Sequence, residues 1–357
     1  MRRRNLMVAS TVPDLDLALL HGFRYGCRPD CALCCYAEPR VEEDERVRLV
    51  RIAPEMDLTR RSDGSFLRAR PEGGGCQFLN GTRCAVWDAR PGPCQEFPVS
   101  VHVGERLQAT LVLSCPGIEL HSLADRRADA ELPPPIGLDT ELASVRRRVG
   151  GSAGRQLEAS RRRRRRIVAG LQRAGQWSEE TEVRATFRVR PPWPTPDDFP
   201  VEDPPSANEG LEYLPLFFGG RAGPLALASG MGGWEVLQLR PEGGREPPLA
   251  VVPPPTRPPE VDAGGRRLLE GYLRYFLERD ALFGTVLTEI EVGGPFSVSD
   301  EIERELQAIG ALVLSRAEVR RKAFGTPTGT LTERDVGDGI RATDQDLLDR
   351  PTWGDHL

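Results

Sequence analysis

Eight cysteines, at positions 27, 31, 34, 35, 76, 84, 94 and 115, fall in the first third of a 357-residue chain. The first four lie within "CRPDCALCC", residues 27–35. Thiolate sulfur is a soft ligand that suits zinc, copper(I) and iron–sulfur clusters. A structural zinc takes about four ligands, and a four-iron cluster takes one cysteine per iron. Eight thiols can therefore supply two such sites, or one with spares. Only Cys31 and Cys34 make a C-x2-C knuckle here, so the paired knuckles of a zinc ribbon are missing. Neighbouring side chains point to opposite faces of a strand and diverge by about 100° on a helix. Cys34 and Cys35 are thus expected to be ligands in different parts of a multinuclear or two-site centre. The alternative is that one of them packs as a small buried apolar residue.

A second block follows, "GGGCQFLNGTRCAVWDARPGPCQEFPVSV", and then "SCPGIEL". Glycines 73–75 and the "RPGPC" stretch let the backbone approach closely, so amide N–H groups could donate to sulfur and tune a thiolate site. Phe78, Trp87 and Phe97 could wall the site from water, or simply pack in a core. The set "C…CALCC", "CQFL…C-x-VWDARPGPCQEFP" and "SCPG" resembles the CxxCxxCC cysteine-cluster family, whose members are proposed to chelate zinc or iron. The resemblance runs from about Cys27 to Gly117. By it, Cys31, Cys34, Cys35, Cys76, Cys84 and Cys94 occupy the family's cysteine positions, and Cys115 fits its late "CPG". Cys27 departs by one residue, with three residues before Cys31 where the family has two. The resemblance implies metal ligation by Cys31, Cys34, Cys35, Cys76, Cys84, Cys94 and Cys115, holding an iron–sulfur cluster of the 4Fe-4S kind or zinc; Cys27 is a further candidate ligand and, by its departure in spacing, the likelier spare. Some members resemble flagellin lysine N-methylases that carry an iron–sulfur cluster. Residues 123–357 contain no methyltransferase motif to extend that likeness.

Two rival readings come from the residues themselves. Cys27-x3-Cys31-x2-Cys34 has the spacing of the radical S-adenosylmethionine triad, but that reading requires alternating strands and helices after the triad. The run Arg161–Arg166 could neutralise nucleic-acid phosphates or another anionic partner. The chain's own tail, with Asp335, Asp338, Asp344, Asp346 and Asp349, would be one such partner. A charge run is more often a solvated helix face, and no aromatics are interleaved for base stacking. The four histidines do not gather. His21 and His102 lie nearest the cysteines. No Ser/His/Asp set, phosphate loop or paired-carboxylate motif stands out, so no catalytic residue is assigned.

The elements that must position the cysteines follow from length and pattern. The length allows about two or three domains. Net charge is −5 and Lys322 is the single lysine. The N-terminal stretch is basic, but Pro13, Asp14 and Asp16 interrupt its apolar run, which is unlike a signal peptide. No run approaches the ~18 apolar residues of a membrane span. A cytoplasmic location is expected, where thiols stay reduced and clustered cysteines bind metal more often than they form disulfides.

The pattern predicts an α+β protein: a small loop-rich cysteine domain over 1–122, followed by a mixed helical and antiparallel β-meander region. "PRVEEDERVRLVRIAPEM" reads as a helix with Val41, Val47, Val50 and Ile52 inward, stopped at Pro54. "PVSVHVGERLQATLVL" reads as a hairpin turning at Gly104. Residues 123–180 read as Arg-rich helices broken at Gly150 and Gly151. A proline-rich linker and small antiparallel unit follow over 181–258, with short β-prone runs from Leu211 to Val252. A helical segment over 259–325 carries Leu269, Tyr272, Leu273 and Phe276 on one face and restarts at a cap, Ser299 or Asp300. Residues 326–357 read as a loose acidic tail.

Overall fold

The computed structural model describes residues 14–28, 30–36, 38–61, 64–70, 74–126, 131–199, 201–206, 216–218, 224–240, 242–243, 247–293, 296–325, 329–348 and 355–356. The cysteine-bearing part runs through β1 (Leu15–Asp16), β2 (Arg40–Val41), α1 (Glu43–Ile52), β3 (Leu58–Arg61), β4 (Gly64–Leu67), β5 (Leu79–Asn80), β6 (Arg83–Cys84) and α2 (Gly92–Glu96) to the strands β7 (Val99–Val103) and β8 (Leu107–Leu111). Then come α3 (His121–Ala124), α4 (Asp139–Ala174), α5 (Glu180–Val189) and the strands β9 (Leu216–Phe218), β10 (Pro224–Gly230), β11 (Gly233–Gln238) and β12 (Ala250–Val252). The helices α6 (Ala263–Leu277), α7 (Asp280–Gly293), α8 (Val298–Phe324) and α9 (Glu333–Thr343) and the strand β13 (Asp355–His356) complete it. The fold is mixed α+β, with small sheets that are antiparallel apart from one parallel pairing, β1 with β8.

The hairpin β7–β8 is the centre of the molecule. Val99 pairs with Leu111 and Val103 with Leu107, and the chain turns across residues 104–106 as its glycine predicts. Helices cover its faces, so its polar side chains need partners inside the protein. Gln108 donates to the Glu278 carbonyl at 2.9 Å and accepts the Asp280 N–H at 2.7 Å, and the Leu111 N–H donates to the Tyr275 hydroxyl at 2.8 Å. The main core extends from Leu19 to Leu347 and joins this hairpin to α4, α6, α7, α8 and α9. Leu269, Tyr272, Leu273 and Phe276 of α6 are all buried in it, as their spacing predicts. The strands β9 to β12 form the expected meander, in the order β12-β11-β10-β9.

Several local expectations differ from the structure. In α1, Val41 just before the helix is buried and Leu49 takes the core side, while Val47 and Ile52 are exposed. The helix is closed at its start by Glu42 and Glu45 in a capping box and ends at Ala53, before Pro54. α4 passes unbroken through Gly150 and Gly151. Val145 and Val149 before the glycines and Ala153 and Leu157 after them are buried on one face. Burial of about 1.5–3 kcal/mol for each larger side chain outweighs the ~1 kcal/mol cost of each glycine. α8 begins at Ser297, whose hydroxyl accepts the Asp300 N–H at 3.2 Å, rather than at Ser299 or Asp300. Residues 333–343, read as part of a loose tail, form α9 behind a Thr332–Asp335 capping box and bury Val336 and Ile340. Asp349, the N-terminal stretch 1–13, Gly73 and the start of the first β-prone run at 211–215 lie outside the described residues. Among the described residues, no helix is long and apolar enough to cross a membrane.

Candidate metal centre

All eight cysteines line one cavity of about 500 Å³. They reach it from six places in the chain. Cys27 follows a segment in which Tyr25 bridges to Ile118 and the Gly26 N–H donates to the Gly117 carbonyl at 3.0 Å. Residue 117 must be glycine for that approach, since a Cβ there would lie 2.6 Å from the Gly26 carbonyl oxygen. Cys31, Cys34 and Cys35 sit on a tight turn with Ala32 in the left-handed region at φ 57°, leading into a 3-10 turn over Leu33–Tyr36. Cys76 precedes β5 and its N–H donates to the Cys35 carbonyl at 2.5 Å. Cys84 ends β6 opposite Leu79, Cys94 rides on α2, and Cys115 follows β8.

Four of the sulfurs receive backbone N–H groups from the residue two positions on: Cys31 from Leu33 at 3.4 Å, Cys76 from Phe78, Cys84 from Val86, and Cys115 from Gly117. Such donors favour the thiolate and orient it. Burial works in the other direction: it pushes the Cys31 thiol up to about 11 and the Cys115 thiol up to about 12, and it raises Cys94 further. Cys34 is the exception. Its thiol is held below the usual range, first by a hydrogen bond from the Cys35 thiol and also by the Arg90 charge. Cys35 is raised by that same bond and by burial. Arg28, Arg83 and Arg90 are cations that line the cavity, and Arg90 acts on the most thiols. It donates to the Trp87 carbonyl at 2.9 Å and the Cys94 carbonyl at 3.4 Å, and lies 3.4 Å from the centre of the Trp87 ring. Its charge favours the thiolates of Cys27, Cys34, Cys84 and Cys94.

The adjacent pair stays close: the thiols of Cys34 and Cys35 share a hydrogen bond in the turn that follows Ala32, and both line the cavity. His21 and His102 are not among the residues lining the cavity, and among the described residues its lining includes neither carboxylate nor imidazole. His102 lies buried on β7. Phe78, Trp87 and Phe97 do line it, with Trp87 half open to solvent at 51 %. The N–H donors to sulfur come from Leu33, Phe78, Val86 and Gly117 rather than from Gly74 or Gly75. Arg90 and Tyr25 were not singled out from the sequence; the arginine of "ARPGPC" was the available signal for one of them. After Cys34 come short antiparallel sheets among the described residues, not the alternating strands and helices the radical triad requires.

The Arg161–Arg166 run is an outer face of α4 that ties the molecule together. Arg161 donates to the Glu105 carbonyl, Arg164 pairs with Glu105 and Glu180, and Arg163 pairs with Glu291. The acids of the chain's end pair elsewhere: Asp338 with Arg320, Asp344 with Arg279 and Asp346 with Arg316. Among the described residues, these three acids thus pair outside the Arg161–Arg166 run.

The donor set fits a thiophilic metal. Its spacing bears on which one. A tetrahedral zinc with sulfur at about 2.3 Å draws its four thiolates to within roughly 3.8 Å of one another. Among the described residues, no group of three or more His, Cys, Asp or Glu side chains is placed to hold a single ion. The thiols instead surround a wider space.

Residues 26–116 match the model of the CxxCxxCC family, described as "Putative zinc- or iron-chelating domain". No curated protein and no solved structure matched the chain. The family match starts one residue before Cys27 and ends one residue after Cys115, and supports metal binding by this part of the chain.

Proposed function

We infer that residues 26–116 hold an iron–sulfur cluster, making this an iron–sulfur protein of a reducing compartment such as the cytoplasm. One observation carries the reading: eight free thiols line a single cavity in which, among the described residues, no group closes on one ion. A cluster bound through one cysteine per iron suits thiolates set further apart than a single zinc requires. When bound, it supplies one-electron redox chemistry at a potential set by hydrogen bonds, charge and exposure. The chain's residues have defined parts in this. The Leu33, Phe78, Val86 and Gly117 N–H groups orient four sulfurs, and Arg90 offsets thiolate charge. Phe78 and Phe97 screen the cavity from water, and metal entry displaces the thiol protons that burial retains.

Anaerobic purification followed by iron, acid-labile sulfide and visible-absorbance analysis tests this. The expected protein is brown, with iron and sulfide in similar amounts. Colourless protein with stoichiometric zinc and no sulfide would replace the cluster by structural zinc. A folded protein with no affinity for iron or zinc would sink both.

A further inference from the structure

The backbone sorts the eight cysteines into two groups. Cys35, Cys76 and Cys84 pack in one small apolar cluster with Leu67, Phe78 and Val86. Within it the Cys76 N–H donates to the Cys35 carbonyl at 2.5 Å, the Leu79 N–H donates to the Cys76 carbonyl at 2.8 Å, and Leu79 pairs with Cys84 across β5–β6. Cys94 joins from α2, with Cys76 and Cys84 among its electrostatic neighbours. Elsewhere, the Gly26–Gly117 hydrogen bond at 3.0 Å and the Tyr25–Ile118 bridge tie the segment that carries Cys27 to the turn that carries Cys115. The Tyr25 hydroxyl bonds to Cys27, and Cys31 neighbours both Cys27 and Cys115. Cys115 belongs to the main core, and Cys31 to a cluster with Leu33, Tyr36 and the β10–β11 strands, against which Cys35 also packs. Cys34 lies between the groups and interacts with all seven other cysteines.

We propose that the cavity is two four-thiolate sites meeting at the Cys34–Cys35 peptide, one formed by Cys35, Cys76, Cys84 and Cys94 and the other by Cys27, Cys31, Cys34 and Cys115. This rests on the reading that the cavity binds metal. Each site takes a thiophilic centre, an iron–sulfur cluster bound through its four sulfurs. The two differ in shelter. The first is walled by Leu67, Phe78 and Val86, whereas the second includes the exposed Cys27. The second is therefore the more labile to oxygen and chelator.

The full chain and its variants Cys76→Ser and Cys115→Ser are reconstituted anaerobically with iron and sulfide, and metal per chain is measured with the visible spectrum. Each single variant is expected to keep about half of the wild-type iron with cluster absorbance, and the double variant almost none. Cys84→Ser and Cys31→Ser form a second pair, so that one misfolded variant does not decide the result; circular dichroism checks each fold. Loss of nearly all iron in folded variants of both groups would overturn the division and leave one shared centre. Full iron retention in folded variants of either group would overturn that group's assignment. A wild-type chain that takes up no metal would instead overturn the metal reading itself.

Discussion

The Arg341 guanidinium on α9 donates to the Cys115 carbonyl at 2.5 Å and to the Ile118 carbonyl at 2.7 Å. The last helix thus holds the turn that carries the last cysteine, across more than two hundred residues of sequence. Arg341→Ala would remove this side-chain donor from both carbonyls, of which the Cys115 carbonyl keeps the Ile118 N–H at 3.1 Å, at a cost of about 1–3 kcal/mol. The expected result is a lower unfolding midpoint in urea together with reduced metal retention. A variant with wild-type stability and metal content would show that the turn holds without α9.

The Arg279–Asp344 pair, with side chains 1 % and 0 % exposed, ties α9 to the hairpin. Asp344 also accepts from the Tyr272 hydroxyl at 2.9 Å and the Leu113 N–H at 2.7 Å. Removing one partner strands a buried charge, so Asp344→Ala is expected to destabilise by about 3–5 kcal/mol. Urea unfolding measures this, and a loss below about 1 kcal/mol would mean that the site rearranges to solvate Arg279.

Arg164 pairs with Glu105 at 2.9 Å and Glu180 at 2.6 Å, linking α4 to the hairpin turn and to α5. Arg164→Gln is expected to cost about 0.5–1 kcal/mol, the scale of partly exposed pairs. Replacing Arg161–Arg166 by glutamine is expected to lower stability without removing any salt-sensitive nucleic-acid affinity. A steep salt-dependent affinity that vanishes in this variant would restore the anion-binding reading.

What the sequence revealed and what it concealed have separate physical causes. Ligand type is written in each cysteine, and the turn at Gly104 is local, so the metal region and the β7–β8 hairpin were legible. The continuity of α4 was not, because Val145, Val149, Ala153 and Leu157 outweigh two glycines only through contacts with distant elements. α9 was read as a tail from its acids, although Thr332 and Asp335 are spaced as a capping box. The positive φ of Ala32 in the turn before Cys34 was not legible, because alanine is a residue type that gives no signal of it.

Asp280 provides a pH test away from the cysteines. Burial raises its carboxyl above the ordinary value, against the pull of Arg106 and Arg184 and with a further push from Glu180. The folded protein therefore keeps this proton at pH values where the unfolded chain has released it. That contribution to stability is present at low pH and is lost as pH rises from about 4 through the folded value. Asp280→Asn cannot titrate, so its stability should fall less steeply than the wild type's over this range, measured by urea unfolding at successive pH values. Identical slopes would contradict the assignment.

X-ray absorption at the iron and zinc edges of anaerobically purified protein tests the central claim most directly. The account predicts iron with a sulfur shell and a short metal–metal contact, the signature of a cluster held by the cavity's cysteines. Zinc with a sulfur shell alone, or no metal in the folded protein, would contradict it.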